Sequence, residues 1–323
     1  MGGTGSLGTD GSGALPTHDD LIDTLACLRA DTQMLGPKRI AILRTSGIHA
    51  LLQALIDDAE HGAEPEVTGS AGTAGGERPG WLAGRPPGWL EAARAAARVD
   101  INNWLSKGYR VTSILSEGYP EILASIQRPP PLLFSEGHPF GDELRISVVG
   151  APKPSELDLQ AAVEVTRSLL GQGVTVVSGF DSGIDSTVHA TVCEQGGRGV
   201  AVLSTGLDHC YPKRNARLRK RLLASGTTIC SRFYPEETKS PAHFGMREVL
   251  TSGLSHATII INSDDQSDVR IQARAAIEQN RGLILTPAIA RNTDWGKEYV
   301  RQHCAQVAQN PQHAAALALS FTP

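Results

Sequence analysis

Short β-rich runs alternating with amphipathic stretches dominate the chain from Arg145 onward. The runs are Ile146 to Val149, Val174 to Val177, Val200 to Leu203, Thr228 to Cys230, Thr258 to Ile261 and Leu283 to Leu285. Helical periodicity fills the intervals near 156–172, 184–196, 213–224, 246–255 and 270–281. Such alternation predicts a parallel sheet wrapped by helices on both faces, the α/β class with an extended Rossmann-like sheet. Ligands of these folds sit at the carboxyl ends of the strands.

Upstream, Leu21, Leu25 and Leu28, then Ile40, Leu43, Ile48, Leu51 and Leu55, recur at helical spacing and predict a small helical domain over 17–62. Its Leu35-Gly36-Pro37-Lys38-Arg39-Ile40 is similar to the hairpin of a helix-hairpin-helix unit, although on so short a match an ordinary Gly-Pro helix connection is the favoured reading. Residues 1–16, rich in Gly, Ser and Thr, read as a disordered tail, and 63–88, full of Gly, Pro and Ala, as a linker. A helix from Trp89 to about Lys107 and a short strand near Arg110 to Thr112 follow. Pro129, Pro130 and Pro131 then force an extended strap into Leu132-Leu133-Phe134. The main domain is expected to cover 89–290, with a helical C-terminal extension over 291–323.

Composition narrows the chemistry. Among 323 residues, 40% are hydrophobic and 20% charged, as in a globular protein, and the net charge of -4 offers no general attraction to polyanions. A nucleic-acid site must therefore be a local basic patch. The five cysteines lie far apart, without zinc or disulfide spacing, so neither metal nor cofactor is expected. No apolar run is long enough to span a bilayer, and the N-terminus lacks signal-peptide character, which makes the cytoplasm the expected location.

The strand ends carry a family pattern. Val149-Gly150, Ser178-Gly179-Phe180-Asp181-Ser182-Gly183-Ile184-Asp185 with His189, Ser204-Thr205-Gly206-Leu207-Asp208, and Tyr211-Pro212 with Asn215 follow in order. His243-Phe244, Gly253-Leu254-Ser255 and Ala273-Arg274 continue the series. Together with Gly118-Tyr119-Pro120 upstream, they resemble the DprA/Smf family of DNA-processing proteins over most of 110–290. The resemblance implies a protein that binds single-stranded DNA without cutting it, forms a homodimer and helps load a RecA-type recombinase during natural transformation. No catalytic group is expected. In that reading Gly150, Gly179, Gly183 and Gly206 let backbone amides approach phosphate, and Ser178, Thr205 and Asn215 add hydrogen bonds.

Four departures concern charge. Ala151-Pro152 stands where the family has Ser-Arg, and Asp181 and Ser182 where it has Ala and Arg. The family's Arg-Asn-Arg cluster is reduced to Arg247-Glu248-Val249, and Asp264, Asp265, Ser267 and Asp268 replace a small neutral loop. Arg247 is thus the surviving cation, and weakened DNA contact is expected. A candidate replacement is the run 213–221, where six of nine residues are basic and Lys213, Arg214, Arg217 and Arg221 are the expected DNA contacts. A solvated helix face is the competing reading of that run. His189, one turn after Asp185, is either an acid–base group or a packed structural residue. A nucleotide sensor on the same scaffold, and a paralogue that has lost DNA binding, remain open alternatives.

Overall fold

The computed structural model describes residues 18–30, 37–61 and 88–321. The tail over 1–16, the linker over 63–87 and the Leu35-Gly36 part of the hairpin lie outside the described residues. The elements run α1 (His18–Ala30), α2 (Pro37–His61), α3 (Trp89–Ser106), β1 (Arg110–Ser113), α4 (Glu121–Ala124), β2 (Leu132–Gly137) and β3 (Arg145–Val149). Next come α5 (Glu156–Gly171), β4 (Thr175–Ser178), α6 (Ile184–Glu194), β5 (Gly199–Val202), a 3₁₀ turn (Lys213–Asn215), α7 (Ala216–Ala224) and β6 (Thr228–Ser231). The chain continues through α8 (Pro241–Gly253), β7 (Ala257–Ile260), α9 (Val269–Glu278), β8 (Gly282–Leu285), α10 (Pro287–Asn292), α11 (Asp294–Arg301), β9 (Gln306–Val307) and α12 (Pro311–Leu319).

Among the described residues nine strands form one sheet in the order β1-β2-β6-β5-β4-β3-β7-β8-β9. The six runs expected from sequence are its parallel strands, each within one residue of its expected limits. Two strands that the alternation did not foreshadow, β2 and β9, extend the sheet, and the antiparallel pairing of β2 makes it mixed. The expected strap is β2, which pairs antiparallel with β6 (Ser135 opposite Cys230) and with β1 (Val111 opposite Phe134). At the other edge, two-residue β9 pairs parallel with β8.

Alternation along the strands sorts the helices. Ile146 and Val148 of β3 pack with Val165 and Leu169 of α5 and Val188 of α6 on one face, where α12 closes the layer through Ala314, Ala315 and Ala318. Val149, one residue on, packs with α9, α10 and Trp295 on the other. That face is completed by α8, whose Leu250 and Leu254 meet Val177, Val200 and Val202. Period-2 burial on both sides explains why the strands read as continuous apolar runs. The last helix therefore belongs to the main core. So does α1, whose Ile22 and Leu25 share one cluster with Ile101 and Trp104 of α3 and Phe134 of β2. Among the described residues no helix is long and apolar enough to cross a membrane.

Connectivity reverses at β3. From it the chain winds through β4, β5 and β6 in one direction, then returns to β7 on the other side and proceeds to β8 and β9. The crevice between the carboxyl ends of β3 and β7 is the topological switch point, where open α/β sheets hold ligands.

Candidate nucleic-acid interface at the switch point

A cleft of about 560 Å³ opens at this point, bounded by Gly150 to Lys153 after β3, Asp181 and Ser182 after β4, and the β7–α9 loop. Tyr211 and Phe244 form an edge-to-face pair at its side, centroids 5.9 Å apart. Lys239 Nζ lies 4.0 Å above the Tyr211 ring.

The floor of the cleft is an ion cluster. Arg247 Nη1 donates to Asp181 Oδ2 at 2.9 Å and lies 3.6 Å from Asp185 Oδ2, while Nη2 donates to Glu248 Oε1. Asp185 also accepts from the Ser178 hydroxyl (3.2 Å) and from the Asp181 amide (3.2 Å). Burial pushes the Asp185 carboxyl up to about 7, against the pull of Arg247. Burial raises Glu248 as well. The same burial acts to lower Arg247, but the carboxylates of Glu248, Asp185 and Asp181 outweigh it and hold the guanidinium above its usual value. The retained cation and the substituted Asp181 therefore compensate each other, so Arg247 is a structural centre rather than an open phosphate contact.

Several other expected contacts are likewise occupied internally. Ser178, fully buried, also donates to the Val148 carbonyl at 2.8 Å. Thr205 is 2% exposed and turns its hydroxyl to the His209 carbonyl. Asn215, also buried, donates through Nδ2 to the carbonyls of Phe180 (2.9 Å) and Asp181 (3.2 Å), which fixes the loop after β4. The expected side-chain bonds of these three to DNA are thus replaced by bonds that shape the cleft.

The glycines show the same economy of space. A Cβ at Gly179 would lie 2.3 Å from Asp185 Oδ2, and one at Gly150 would lie 2.5 Å from Asn262 Oδ1. Gly183, at φ +74°, starts α6 against the Ala151 and Pro152 carbonyls. Gly206 donates its amide to the Glu237 carbonyl at 2.8 Å. Asn262 Oδ1 takes the Ala151 amide at 2.8 Å, and Ser155 with Asp158 closes the start of α5 in a capping box. Of the four glycine amides expected to approach an anion, that of Gly206 is spent on the protein itself, as is the neighbouring Ala151 amide. Gly206→Ala would put a methyl group 1.9 Å from the Tyr234 carbonyl oxygen. We expect that variant to lose about 1 to 3 kcal/mol of stability, read by thermal unfolding.

His189 is a packed residue. It is fully buried, its Nε2–H donates to the Gly179 carbonyl at 2.7 Å, and its ring tilts against Phe180. A carbonyl only accepts, so Nε2 carries the proton. Burial lowers the imidazole to about 4, which keeps it neutral, and no described hydrogen bond joins it to Asp185. No group of metal-binding character gathers among the described residues.

Cations remain free on the rim. Lys213 and Arg214 in the 3₁₀ turn, then Arg217, Lys220 and Arg221 on α7, are exposed. Arg214 reaches the Ser182 hydroxyl at the mouth of the cleft; the other four make no ion pair among the described residues. Arg219 points inward, its Nε donating to Glu136 Oε1 at 2.9 Å and its Nη1 to the His209 carbonyl at 2.9 Å. Sequence reasoning missed Lys153, Lys239 and the Tyr211–Phe244 pair as site residues. The usable signals were the position of Lys153 three residues beyond Gly150, in the first strand-to-helix loop, and the family motifs Tyr211-Pro212 and His243-Phe244 that contain the two rings.

Sheet order, switch-point cleft and helical layers define an extended Rossmann-like α/β protein with a cleft at the carboxyl ends of β3, β4 and β7. The sequence profile of the DNA recombination-mediator protein A family matches residues 110–318, and the chain belongs to that family. It is 32% identical to DNA processing protein DprA of Bacillus subtilis over 183 residues, 56% of this chain and 61% of that protein. Identity to DNA processing protein DprA of Streptococcus pneumoniae is 32% over 178 residues, 54% of this chain and 62% of the relative. The chain thus spans about three fifths of these relatives' length. The crystal structure of the Streptococcus pneumoniae protein superposes with a TM-score of 0.60 at 26% identity, covering 73% of this chain and 83% of that one. A structure of DNA processing protein A from Helicobacter pylori, described for its single-stranded DNA binding mode, shares the fold with a TM-score of 0.58 at 22% identity, covering 67% of this chain and 97% of that one.

Proposed function

We propose that this chain is a non-catalytic, cytoplasmic DNA-processing protein that holds single-stranded DNA along the α7 rim and delivers it, as a homodimer, to a RecA-type recombinase. The observation that carries the reading is the row of exposed cations from Lys213 to Arg221 running from the cleft mouth, on a chain whose net charge is -4. Phosphates follow the cations, and the Tyr211–Phe244 pair offers ring faces to bases. Kinship with DNA-processing proteins supports it. The compensated floor around Arg247 serves as scaffold.

Fluorescence anisotropy with a labelled oligo-dT tests the proposal. Binding is expected at low salt, with log affinity falling against log salt at a slope of about -3 for four neutralised phosphates of a single strand. Folded protein that binds no oligonucleotide at low salt would exclude this role and favour a scaffold that has lost DNA binding. A second reading, nucleotide sensing, draws on the size of the cleft, about 560 Å³, within the range of small-ligand sites. A thermal-shift response to mononucleotides without oligonucleotide binding would support it.

A further inference from the structure

Across α8 from the cleft lies a separate pocket of about 410 Å³. The helix is the partition: Phe244, Arg247 and Glu248 face the cleft, whereas Ala242, His243 and Met246 face the pocket. Its other walls come from Pro130, Pro131 and Phe134 around β2 and from Phe233 and Tyr234 beyond β6. Phe233 stacks on His243 with centroids 3.8 Å apart, and Tyr234 stacks on Trp104 at 5.9 Å, so these apolar walls are held in place.

Arg232 also lines this chamber. Its Nε is shut off from solvent and hydrogen bonds to nothing. Glu237, nearby, is engaged elsewhere: Oε1 accepts the Tyr234 amide at 2.9 Å, and Oε2 lies 3.7 Å from His243 Nε2. Burial draws the Arg232 pKa below the usual guanidinium value despite the offsetting influence of Tyr119 and Glu237. The side chain is only partly exposed and makes no described ion pair or hydrogen bond, so its guanidinium is left for an anion that enters the pocket. The pocket has a second feature of the same sign. The 13-residue α8 begins at Pro241 with no side-chain cap, and Ser240 and Ala242 at that end line the space. The positive end of the helix dipole therefore faces the chamber that Arg232 lines.

We infer that this pocket binds a small organic monoanion, a carboxylate on an aromatic or aliphatic body. The carboxylate pairs with the Arg232 guanidinium and the start of α8, and the body packs among Pro131, Phe134 and Phe233. Glu237 on the wall opposes a second negative charge, and Arg29, the other cation on the wall, is already paired with Asp100, which together disfavour phosphate dianions. The site stands apart from the proposed DNA track and does not depend on it.

Thermal unfolding with 2-naphthoate, neutral 2-naphthamide and 2-naphthyl phosphate tests the inference. The acid is expected to raise Tm more than the amide or the phosphate at equal concentration. Arg232→Leu is expected to abolish the response to the acid, to melt no lower than the parent because a partly buried guanidinium without a counter-ion is removed, and to bind oligo-dT unchanged. Arg232→Gln, closer in polarity, is expected to lose the same preference for acid over amide. Equal responses to acid and amide, no response to any probe, a stronger response to the phosphate, or a response to the acid that survives in both variants would overturn the inference. So would a lower Tm in Arg232→Leu, which marks a structural role, or its loss of oligo-dT binding, which makes the pocket part of the DNA track.

Discussion

Arg247→Met is expected to destabilise the protein by about 3 to 5 kcal/mol, a fall in Tm of roughly 10 °C, because it strands buried acids around a vanished cation. Asp181, Asp185 and Glu248 all converge on this guanidinium, and Asp185 and Glu248 are almost wholly buried. Water cannot replace the lost partner there, so the cost is the desolvation of uncompensated carboxylates rather than one missing hydrogen bond. Neutralising the acids at the same time, with Asp181→Asn and Glu248→Gln, is expected to recover most of the loss. Asp185→Asn alone is expected to be mild, since an amide oxygen in the place of Oδ2 still accepts from the Asp181 amide, and the NH2 in the place of Oδ1 can donate to the Ser178 hydroxyl, whose own proton goes to the Val148 carbonyl. Denaturant unfolding of the variants checks the series. An Arg247→Met protein as stable as the parent would show that the cluster carries no structural charge compensation.

Combined replacement of Lys213, Arg214, Arg217 and Arg221 by Ala is expected to weaken oligo-dT binding by roughly 10²- to 10³-fold at 0.1 M salt. The estimate follows from four single-strand phosphate contacts, each contributing a salt exponent of about 0.7. These side chains are exposed, and only Arg214 has a described hydrogen-bond partner, the Ser182 hydroxyl. Stability should therefore change by no more than about 0.5 kcal/mol per site. The contrast with Arg247 separates two kinds of arginine: one whose loss unfolds, and several whose loss only releases the ligand. Affinity within twofold of the parent, measured by anisotropy, would remove α7 from the binding surface.

Parallel strands were legible because both their faces are buried, so their apolar runs stand out from the amphipathic helices between them. β2 was not, because the prolines that precede it describe an extended segment equally well with or without the antiparallel ladders it forms on both sides. β9 has two residues and no period to detect. α8 begins five residues before the expected Met246 because Pro241 opens the helix rather than preventing it, a use of proline suited to the first helical position. Gly245 inside it comes close to Ile271 of α9, which identifies a packing requirement rather than a helix end. In the site, the order of loops along the chain is the order in which Gly150, Asp181 and Ser182 come to line one cleft. The partners of individual residues were hidden, since nothing local tells that Asp181 would meet Arg247, 66 positions away. Sequence reading treated that aspartate as repulsion toward DNA, and the fold makes it the counter-ion of the surviving cation. Arg232 escaped notice for the same reason, because its lack of partners is a property of the folded surroundings.

Hydrogen–deuterium exchange of the protein with and without oligo-dT gives the most direct reading of where a nucleic acid lies. The account predicts slowed exchange in peptides covering 211–224, with the core of α8 around Arg247 unchanged. Protection confined to the loop after β4 and to α8, with 211–224 unaffected, would contradict it and return the ligand to the floor of the cleft.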